Sequence, residues 1–117
     1  MTDMRECGVI TLAQVRRIAL SFPEAAEQDH HGRPSFRVRG KIFATVPDAD
    51  HLRIMLDPEV ARAIAPSHAA FEELWWGAKL AGVSVTLAGA DRAAVAELLE
   101  QAWRRRAPRA LIEASDR

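Results

Sequence analysis

The segment from residue 33 to residue 44 could bind a polyanion, because its sequence RPSFRVRGKIFA contains four cations and no acid. The cations are Arg33, Arg37, Arg39 and Lys41. Arginine presents a planar fork of N–H donors that fits a phosphate group, and lysine adds a compact charge. Arg37 and Arg39 are two residues apart, so both should lie on one face of a β-strand. Their spacing therefore predicts contacts with phosphate rather than catalysis.

A second group of cations lies near the C-terminus, at Arg104, Arg105, Arg106 and Arg109. The pattern places the first three at the end of a helix, where the helix dipole favours each exposed cation by about 0.3–1 kcal/mol. That effect is a sufficient reason for the cluster, and a contact with a partner molecule is the alternative.

The series Asp29-His30-His31 suggests a metal or acid–base site at first sight. Neighbouring residues on a strand point to opposite faces, so His30 and His31 should not face one metal ion. The ligand spacings typical of zinc sites do not occur in the sequence, nor does a glycine-rich phosphate loop or a Gly-x-Ser-x-Gly nucleophile motif. The sequence therefore predicts no catalytic residue, no metal site and no cofactor, and we do not expect an enzyme.

The composition limits how binding could work. The 117 residues contain 16 Lys and Arg and 16 Asp and Glu, so the formal net charge is zero. Proteins that hold nucleic acid by their total charge are usually basic, so binding here requires local segregation of charge. Such segregation is present, since acids concentrate outside the cationic segment, at Glu24, Glu27, Asp29, Glu72 and Glu73.

Length and cysteine content suggest one small domain, residues 1–117, in the cytoplasm. Cys7 is the only cysteine, so an intrachain disulfide is impossible and a reducing compartment is favoured. No apolar run approaches the roughly 18–20 residues that span a bilayer, and the polar residues 1–8 do not resemble a secretory signal. We therefore expect a cytoplasmic protein without membrane contact, in which Cys7 has no function of its own.

Helical and strand patterns alternate along the chain and would position these residues. Helices are predicted where a capping residue precedes apolar residues at helical spacing, at 11–22, at 57–65 and from 91 to about 107, where Pro108 interrupts the last one. Strands are predicted where apolar and polar residues alternate, at 35–39, 42–46, 52–56 and 83–87. The polar stretch 27–32 has no clear type, and segment 67–79 is compatible with partial helix. The predicted fold is α+β with two layers, an antiparallel sheet with helices packed on one face.

The register of the hairpin at Gly40 has two solutions. A two-residue loop, 40–41, would turn Phe43 toward the core face of the hairpin. A three-residue loop, 39–41, would turn Phe43 outward. The residues then turned inward are Ile42, Ala44 and Val46. This second solution buries more apolar groups and is preferred, with Gly40 in a left-handed conformation.

Trp75 and Trp76 are the remaining conspicuous residues. Aromatic side chains stack on bases in proteins that bind single strands. Adjacent tryptophans more often contribute to a core, with one ring buried and the other half covering a sheet edge. We therefore expect the core arrangement.

The sequence GRPSFRVRGKIFA at residues 32–44 closely resembles the MmcQ/YjbR family of small bacterial proteins. The series SFPEA at 21–25 and the late Ala102-Trp103 are similar to that family as well. The likeness extends over a core of about residues 9–108. It implies a two-layer α+β fold shared with secretion chaperones, a double-wing DNA-binding motif and no assigned enzymatic activity.

One position departs from the pattern of that family. A strand start of the type Gly-Trp-Val is usual there, and this chain has Ala81-Gly82-Val83 instead. If the tryptophan of the family makes a contact, that contact is absent here or is supplied by Trp75 or Trp76.

These inferences lead to one functional expectation and one rival. We expect weak, largely sequence-independent DNA binding by neutralisation of phosphate charge. The residues expected to bind are Arg33, Arg37, Arg39 and Lys41, with Arg53 as a neighbour on the next strand. The rival is a protein-interaction module or a homodimer, which the neutral net charge and the two adjacent tryptophans favour.

Overall fold

The computed structural model describes residues 10–116, and both Cys7 and the expected start of the core at Val9 lie outside the described residues. Within that range, four α-helices accompany six strands. The helices are α1 (Leu12–Ser21), α2 (Pro58–Ile64), α3 (Arg92–Arg106) and α4 (Arg109–Ser115). The strands are β1 (Ala25–His30), β2 (Arg33–Val38), β3 (Lys41–Asp48), β4 (His51–Met55), β5 (Phe71–Trp76) and β6 (Lys79–Thr86).

The strands form one antiparallel sheet in the order β1-β2-β3-β4-β6-β5. Tight turns connect β1 through β4, and α2 lies in the connection to β5, so that β6 returns beside β4. The helices pack on one face of this sheet, which we call the covered face, and the opposite face is the open face. The two-layer α+β fold predicted from the sequence is confirmed.

The core lies between the covered face and the helices. Its fully buried members include Phe36, Phe43, Leu52 and Ile54 from the sheet, and Val95 and Leu99 from α3. Trp103 closes one end of this core: its ring stacks on Phe22 at a centroid distance of 5.8 Å, and its Nε1 donates to the carbonyl of Pro23 at 3.1 Å. These contacts fix the C-terminal end of α3 against the chain that leaves α1.

The helix starts predicted at Thr11 and Asp91 are confirmed. The backbone N–H of Gln14 donates to Thr11 Oγ1 at 3.2 Å, and that of Thr11 donates to Gln14 Oε1 at 2.9 Å, which completes a capping box. The carboxylate of Asp91 accepts from the backbone N–H of Ala94 at 3.0 Å. Each cap satisfies N–H groups that have no partner inside the helix.

Two segments that the sequence left without a clear type are the edge strands of the sheet. The polar stretch 27–32 belongs mainly to β1, which is mostly exposed and therefore carries no apolar alternation. Segment 67–79 contains β5 and not the partial helix considered for it. A bulge between Leu74 and Trp75 interrupts the alternation of β5, so periodicity could not indicate the strand.

The register of the hairpin between β2 and β3 differs from the preferred prediction. Val38 pairs with Lys41, so the turn has two residues, Arg39 and Gly40, with φ angles of 51° and 79°. Positive φ at both positions is what type I′ turns require. The left-handed conformation expected for Gly40 is confirmed, and the three-residue loop is wrong.

A bulge in the same hairpin decides where Phe43 lies. Phe36 pairs with Ala44, but the next residue, Arg37, pairs with Ile42, so Phe43 is the extra residue between them. Phe43 and Ala44 are consequently both fully buried, while Ile42 shares the open face with Arg37. The prediction that Phe43 lies on the outer face is wrong, because the bulge changes the side of the sheet to which β3 side chains point.

Candidate nucleic-acid interface

The open face is built from polar side chains that alternate with core residues along each strand. One row of paired positions crosses the sheet from β2 to β5. It consists of Ser35, Thr45, Arg53, Ser84 and Glu72. Phe36 and Ile54, which follow Ser35 and Arg53 in sequence, point to the covered face. Strand alternation therefore places Arg37 and Arg53 on the same open surface.

A cavity of about 540 Å³ is lined by Arg37, Thr45 and Arg53 of this face and by Arg106 from the end of α3. Its walls include four cations, a histidine and a tryptophan, namely Arg37, Lys41, Arg53, Arg106, His30 and Trp76. Among the described residues, none of those that line it is acidic. We call this feature the cationic cavity.

Neutral groups hold Arg37 in the cationic cavity. Its Nε donates to Ser35 Oγ at 3.1 Å, and one terminal nitrogen lies 3.5 Å from the carbonyl oxygen of Asp29. Ser35 is fully buried and donates in turn to the carbonyl of Gln28 at 2.8 Å. The guanidinium is thus positioned across β1 and β2 by groups without charge, so its positive charge stays uncompensated.

Arg106 reaches the cationic cavity from the last turn of α3. Its Nε is buried and has no hydrogen-bond partner within residues 10–116. Burial, and to a smaller extent the like charge of Arg105, lowers the pKa of Arg106, although arginine remains protonated at neutral pH. The fold therefore keeps this cation at the cavity wall without a counter-charge from the described residues.

Arg39, which was expected to share a face with Arg37, lies in the turn instead, and that placement is wrong. It forms a two-bonded ion pair with Glu24, at 2.5 and 3.0 Å. The hydrogen bond from Arg39 lowers the pKa of the Glu24 carboxyl below its ordinary value. Both side chains are about half exposed, so the pair contributes little to stability, but it neutralises the charge of Arg39 locally.

Other cations outside the cavity are paired in the same way. Arg16 donates to Glu27 at 2.7 Å, and Arg104 binds both Glu100 and Asp116. The two carboxylates raise the pKa of Arg104. The C-terminal cluster therefore divides: Arg104 is an ion-pair partner on the helix surface, whereas Arg106 lines the cationic cavity.

Arg33 lies beside an adjoining cavity of about 470 Å³ on the open face. This second cavity shares His30, Thr45 and Arg53 with the cationic cavity, so the two form one continuous depression. Four of the five predicted binding residues thus line these two cavities, and Arg39 is the exception.

The sequence explained Arg106 by its place at the helix C-terminus, with a contact to a partner molecule as the alternative, although a signal for its orientation was available. Residue 106 follows Trp103 by three positions and Ala102 by four, and both of these are fully buried. Residues three and four apart share a helix face, so the helical stripe itself indicated that Arg106 lies on the buried side of α3 and not among its solvent-exposed cations.

Trp75 and Trp76 are 48% and 52% exposed, so the expectation that one of them enters the core is wrong. Trp75 Nε1 donates to Glu73 at 3.2 Å, and Trp76 lines the cationic cavity. The backbone leaves no room for a side chain at Gly82, because a Cβ there would overlap the carbonyl oxygen of Ile54. An indole beside the cavity therefore comes from β5 and not from position 82.

The histidines do not assemble a metal centre within the described residues. His30 ends β1, and His31 follows in a turn with φ of 56°, so their rings meet edge to face at 4.4 Å. Across residues 10–116 there is no group of three or more side chains of the His, Cys, Asp or Glu type that could hold a metal ion. His30 is instead part of the cationic cavity.

Comparison with known proteins gives one result on family and none on a named relative. The family model described as YjbR matches residues 20–105, well over half of the chain. The resemblance inferred from the hairpin is thereby confirmed. No curated protein matches the chain. In the described range, none of the helices has the length and apolar character required to cross a membrane.

Proposed function

This chain belongs to the YjbR family, and from that premise together with the cationic cavity we propose that it binds DNA weakly and largely independently of sequence. The binding surface is the open face of the sheet. Its proposed contacts are Arg33, Arg37, Lys41, Arg53 and Arg106. Arg39, whose charge Glu24 offsets, makes at most a peripheral contribution.

The observation that supports this proposal is the separation of charge on a neutral chain. Four cations surround one cavity to which the described residues contribute no acid. Phosphates brought to this surface release their condensed counterions, and that release drives association. The guanidinium groups can grip phosphate oxygens through two parallel hydrogen bonds. Such contacts fix position and carry no sequence information.

The number of cations sets the expected strength. Five phosphate contacts predict a slope of log K against log salt of about −4 to −5, and a Kd of about 10⁻⁴ to 10⁻⁶ M at physiological salt. Fluorescence anisotropy of a labelled 20-base-pair duplex, titrated at several salt concentrations from low to physiological, measures both quantities.

The test of the site compares two double variants of equal net charge. Arg37→Gln/Arg53→Gln removes two cavity cations, and Arg17→Gln/Arg62→Gln removes two exposed cations from α1 and α2. The cavity variant should lose roughly two units of salt slope, since each contact contributes about 0.9, and the helix variant should bind as the wild type does. Absence of binding at low salt, or equal losses in both variants, would contradict the proposal.

A second candidate function is a protein-interaction surface on β5. This strand is an edge of the sheet and carries Trp75 and Trp76, each about half exposed. An edge strand with exposed aromatic rings can pair with another chain. Sedimentation velocity tests it: a dimer that persists at high salt and is lost in Trp75→Ser/Trp76→Ser would support this function over DNA binding.

A further inference from the structure

We propose that the cationic cavity accepts one unpaired nucleotide, whose base stacks on Trp76 while the surrounding cations hold its phosphates. The protein therefore prefers single-stranded nucleic acid to duplex. This inference rests on the proposed function and specifies the substrate class of the same site.

The first argument is that the cavity combines two chemistries. Arg37, Arg53 and Lys41 supply positive charge, and Trp76 and Met55 supply an apolar wall on the same depression. A half-exposed indole at the edge of a cationic surface is not needed for phosphate binding alone. Base–aromatic stacking together with backbone cations is the combination by which proteins bind single strands without sequence preference.

The second argument is shape. The cavity of about 540 Å³ falls within the range of about 300–1,000 Å³ that is typical of small-ligand sites. A duplex is a rod whose bases are stacked on each other inside, so it can touch the cationic rim but cannot present a base face to Trp76. An unpaired nucleotide can enter the depression and use both the rim and the indole.

The third argument is that the two adjacent tryptophans differ in environment. Trp76 lines the cationic cavity. Trp75 Nε1 donates a hydrogen bond to Glu73, and Trp75 is not among the residues that line the cavity. Their exposed fractions, 52% and 48%, are nearly equal. Trp75 is therefore a matched control for Trp76 on the same strand.

The experiment measures affinity by anisotropy for a labelled 15-nucleotide single strand, for its duplex and for unlabelled thymidine monophosphate as a competitor. The proteins are the full chain and its Trp76→Leu, Trp76→Phe and Trp75→Leu variants. We expect the wild type to bind the single strand at least about fivefold more tightly than the duplex. The free nucleotide should compete only at far higher concentration, because it lacks the neighbouring phosphates.

Trp76→Leu should weaken single-strand binding roughly 5- to 100-fold, and it should leave duplex binding within about twofold. Trp76→Phe should restore most of the affinity, since its ring still stacks, and Trp75→Leu should change neither affinity by more than about twofold. Melting curves confirm that each variant is folded.

The failure of this inference can be told from the failure of the proposed function. If no nucleic acid binds at low salt, DNA binding itself is wrong. If the duplex binds with a clear salt slope but as tightly as the single strand, or if both tryptophans matter equally, only the nucleotide pocket is wrong. If thymidine monophosphate competes as well as the single strand, the cavity is a site for free nucleotides and the single-strand preference is overturned.

Discussion

The covered face and the open face of the sheet use neighbouring residues of the same strands for different purposes. Phe36 and Ile54 are fully buried on the covered face, and Arg37 and Arg53, the residues beside them, lie on the open face. Packing fixes the first pair, because close-packed interiors tolerate little change in volume. The second pair provides positive charge for binding, and exposed charges change the free energy of unfolding only slightly. Stability and binding should therefore be separable by face.

The same division explains how a chain of zero net charge presents a cationic surface. Arg39, Arg16 and Arg104 lie outside the cavity and are each bonded to a carboxylate. In the part of the chain that the structure describes, the cavity cations form no such ion pair. Some of the acids thus pair with cations outside the cavity, whereas the charge of the cavity cations is not offset by an ion pair among the described residues.

The largest effect is expected on the covered face, at the bulge in β3. Phe43→Ala should lower the free energy of unfolding by about 3–5 kcal/mol, because it leaves a cavity in the core. Ile42→Ala, the adjacent change on the open face, should cost less than about 2 kcal/mol, since Ile42 is already partly exposed. Urea unfolding followed by circular dichroism measures both. Equal losses would mean that the bulge does not separate the two faces.

The sequence could predict much of this fold but not the bulge. The alternation at residues 35–38 and 52–54 correctly separated the faces of β2 and β4. In β3 the adjacent Phe43 and Ala44 are both buried, which no strict alternation allows. One extra residue in a strand leaves no local signature here, because it is favoured only by the burial of Phe43 in the assembled core. The edge strands β1 and β5 were not predicted for a related reason. They are defined by pairing with a neighbouring strand and not by alternation of apolar and polar residues in their own sequence.

A second effect is expected where β4 and β6 approach each other. Gly82→Ala should lower the free energy of unfolding by about 1–3 kcal/mol, because its Cβ would overlap the carbonyl of Ile54 and force the strands apart. Gly89→Ala is the matched control, since its Cβ would meet only the Ala70 side chain at an ordinary 3.8 Å. Thermal melting compares the two. If Gly82→Ala left the melting temperature unchanged, the open face near Met55 would be able to adapt to a side chain at position 82.

The third prediction contrasts two arginines of one hairpin. Arg37→Gln should reduce the salt slope of DNA binding by about 0.9, the contribution of one phosphate contact. Arg39→Gln should reduce it by clearly less, because Glu24 already offsets that charge. Both variants should unfold at the wild-type urea concentration. Equal slopes in the two variants would remove the distinction between cavity cations and paired cations.

Most of the candidate site could be read from the sequence, and the exceptions have physical causes. Arg37 and Arg53 lie inside strands that the sequence predicted, and alternation places both on the open face. Arg33 and Lys41 are the first residues of β2 and β3, just outside the predicted strands, and line the two cavities from there. Arg39 does not, because the two-residue turn places it beyond the end of the strand and within reach of Glu24. That contact joins residues 15 positions apart, and spacing within the hairpin cannot indicate it.

The fourth prediction removes the partner of Arg39. Glu24→Gln should strengthen DNA binding and steepen the salt slope by up to about 0.9, because it releases a cation at the end of the hairpin. Glu97→Gln changes the net charge equally on the exposed surface of α3 and is the control. Anisotropy at a fixed low salt concentration compares both with the wild type. A similar gain in both variants would show that total charge matters and that the ion pair does not.

The smallest effect concerns Asp48, an acid that borders the depression near Arg33. The hydrogen bond from His51 Nδ1 at 2.8 Å, followed by that from the backbone N–H of Asp50, lowers the pKa of this carboxyl. A lowered pKa stabilises the fold above the unfolded pKa of about 3.9, and the gain disappears as the pH falls through the folded value. Asp48→Asn should therefore lower Tm at pH 7 by about a few degrees at most, and the gap should narrow as the pH falls below the unfolded pKa.

The Asp48→Asn variant tests the comparison of the two faces at a residue of the open face, where the effect on stability should be small. Asp48 belongs to the open face and is exposed, so its loss should not approach that of Phe43→Ala. Melting curves at pH 7 and pH 3 for the wild type and Asp48→Asn give the gap directly. A gap as large at pH 3 as at pH 7 would assign the effect to packing of the β3–β4 turn and not to charge. The open face would then contribute to stability through its geometry, and the two faces would no longer be separable.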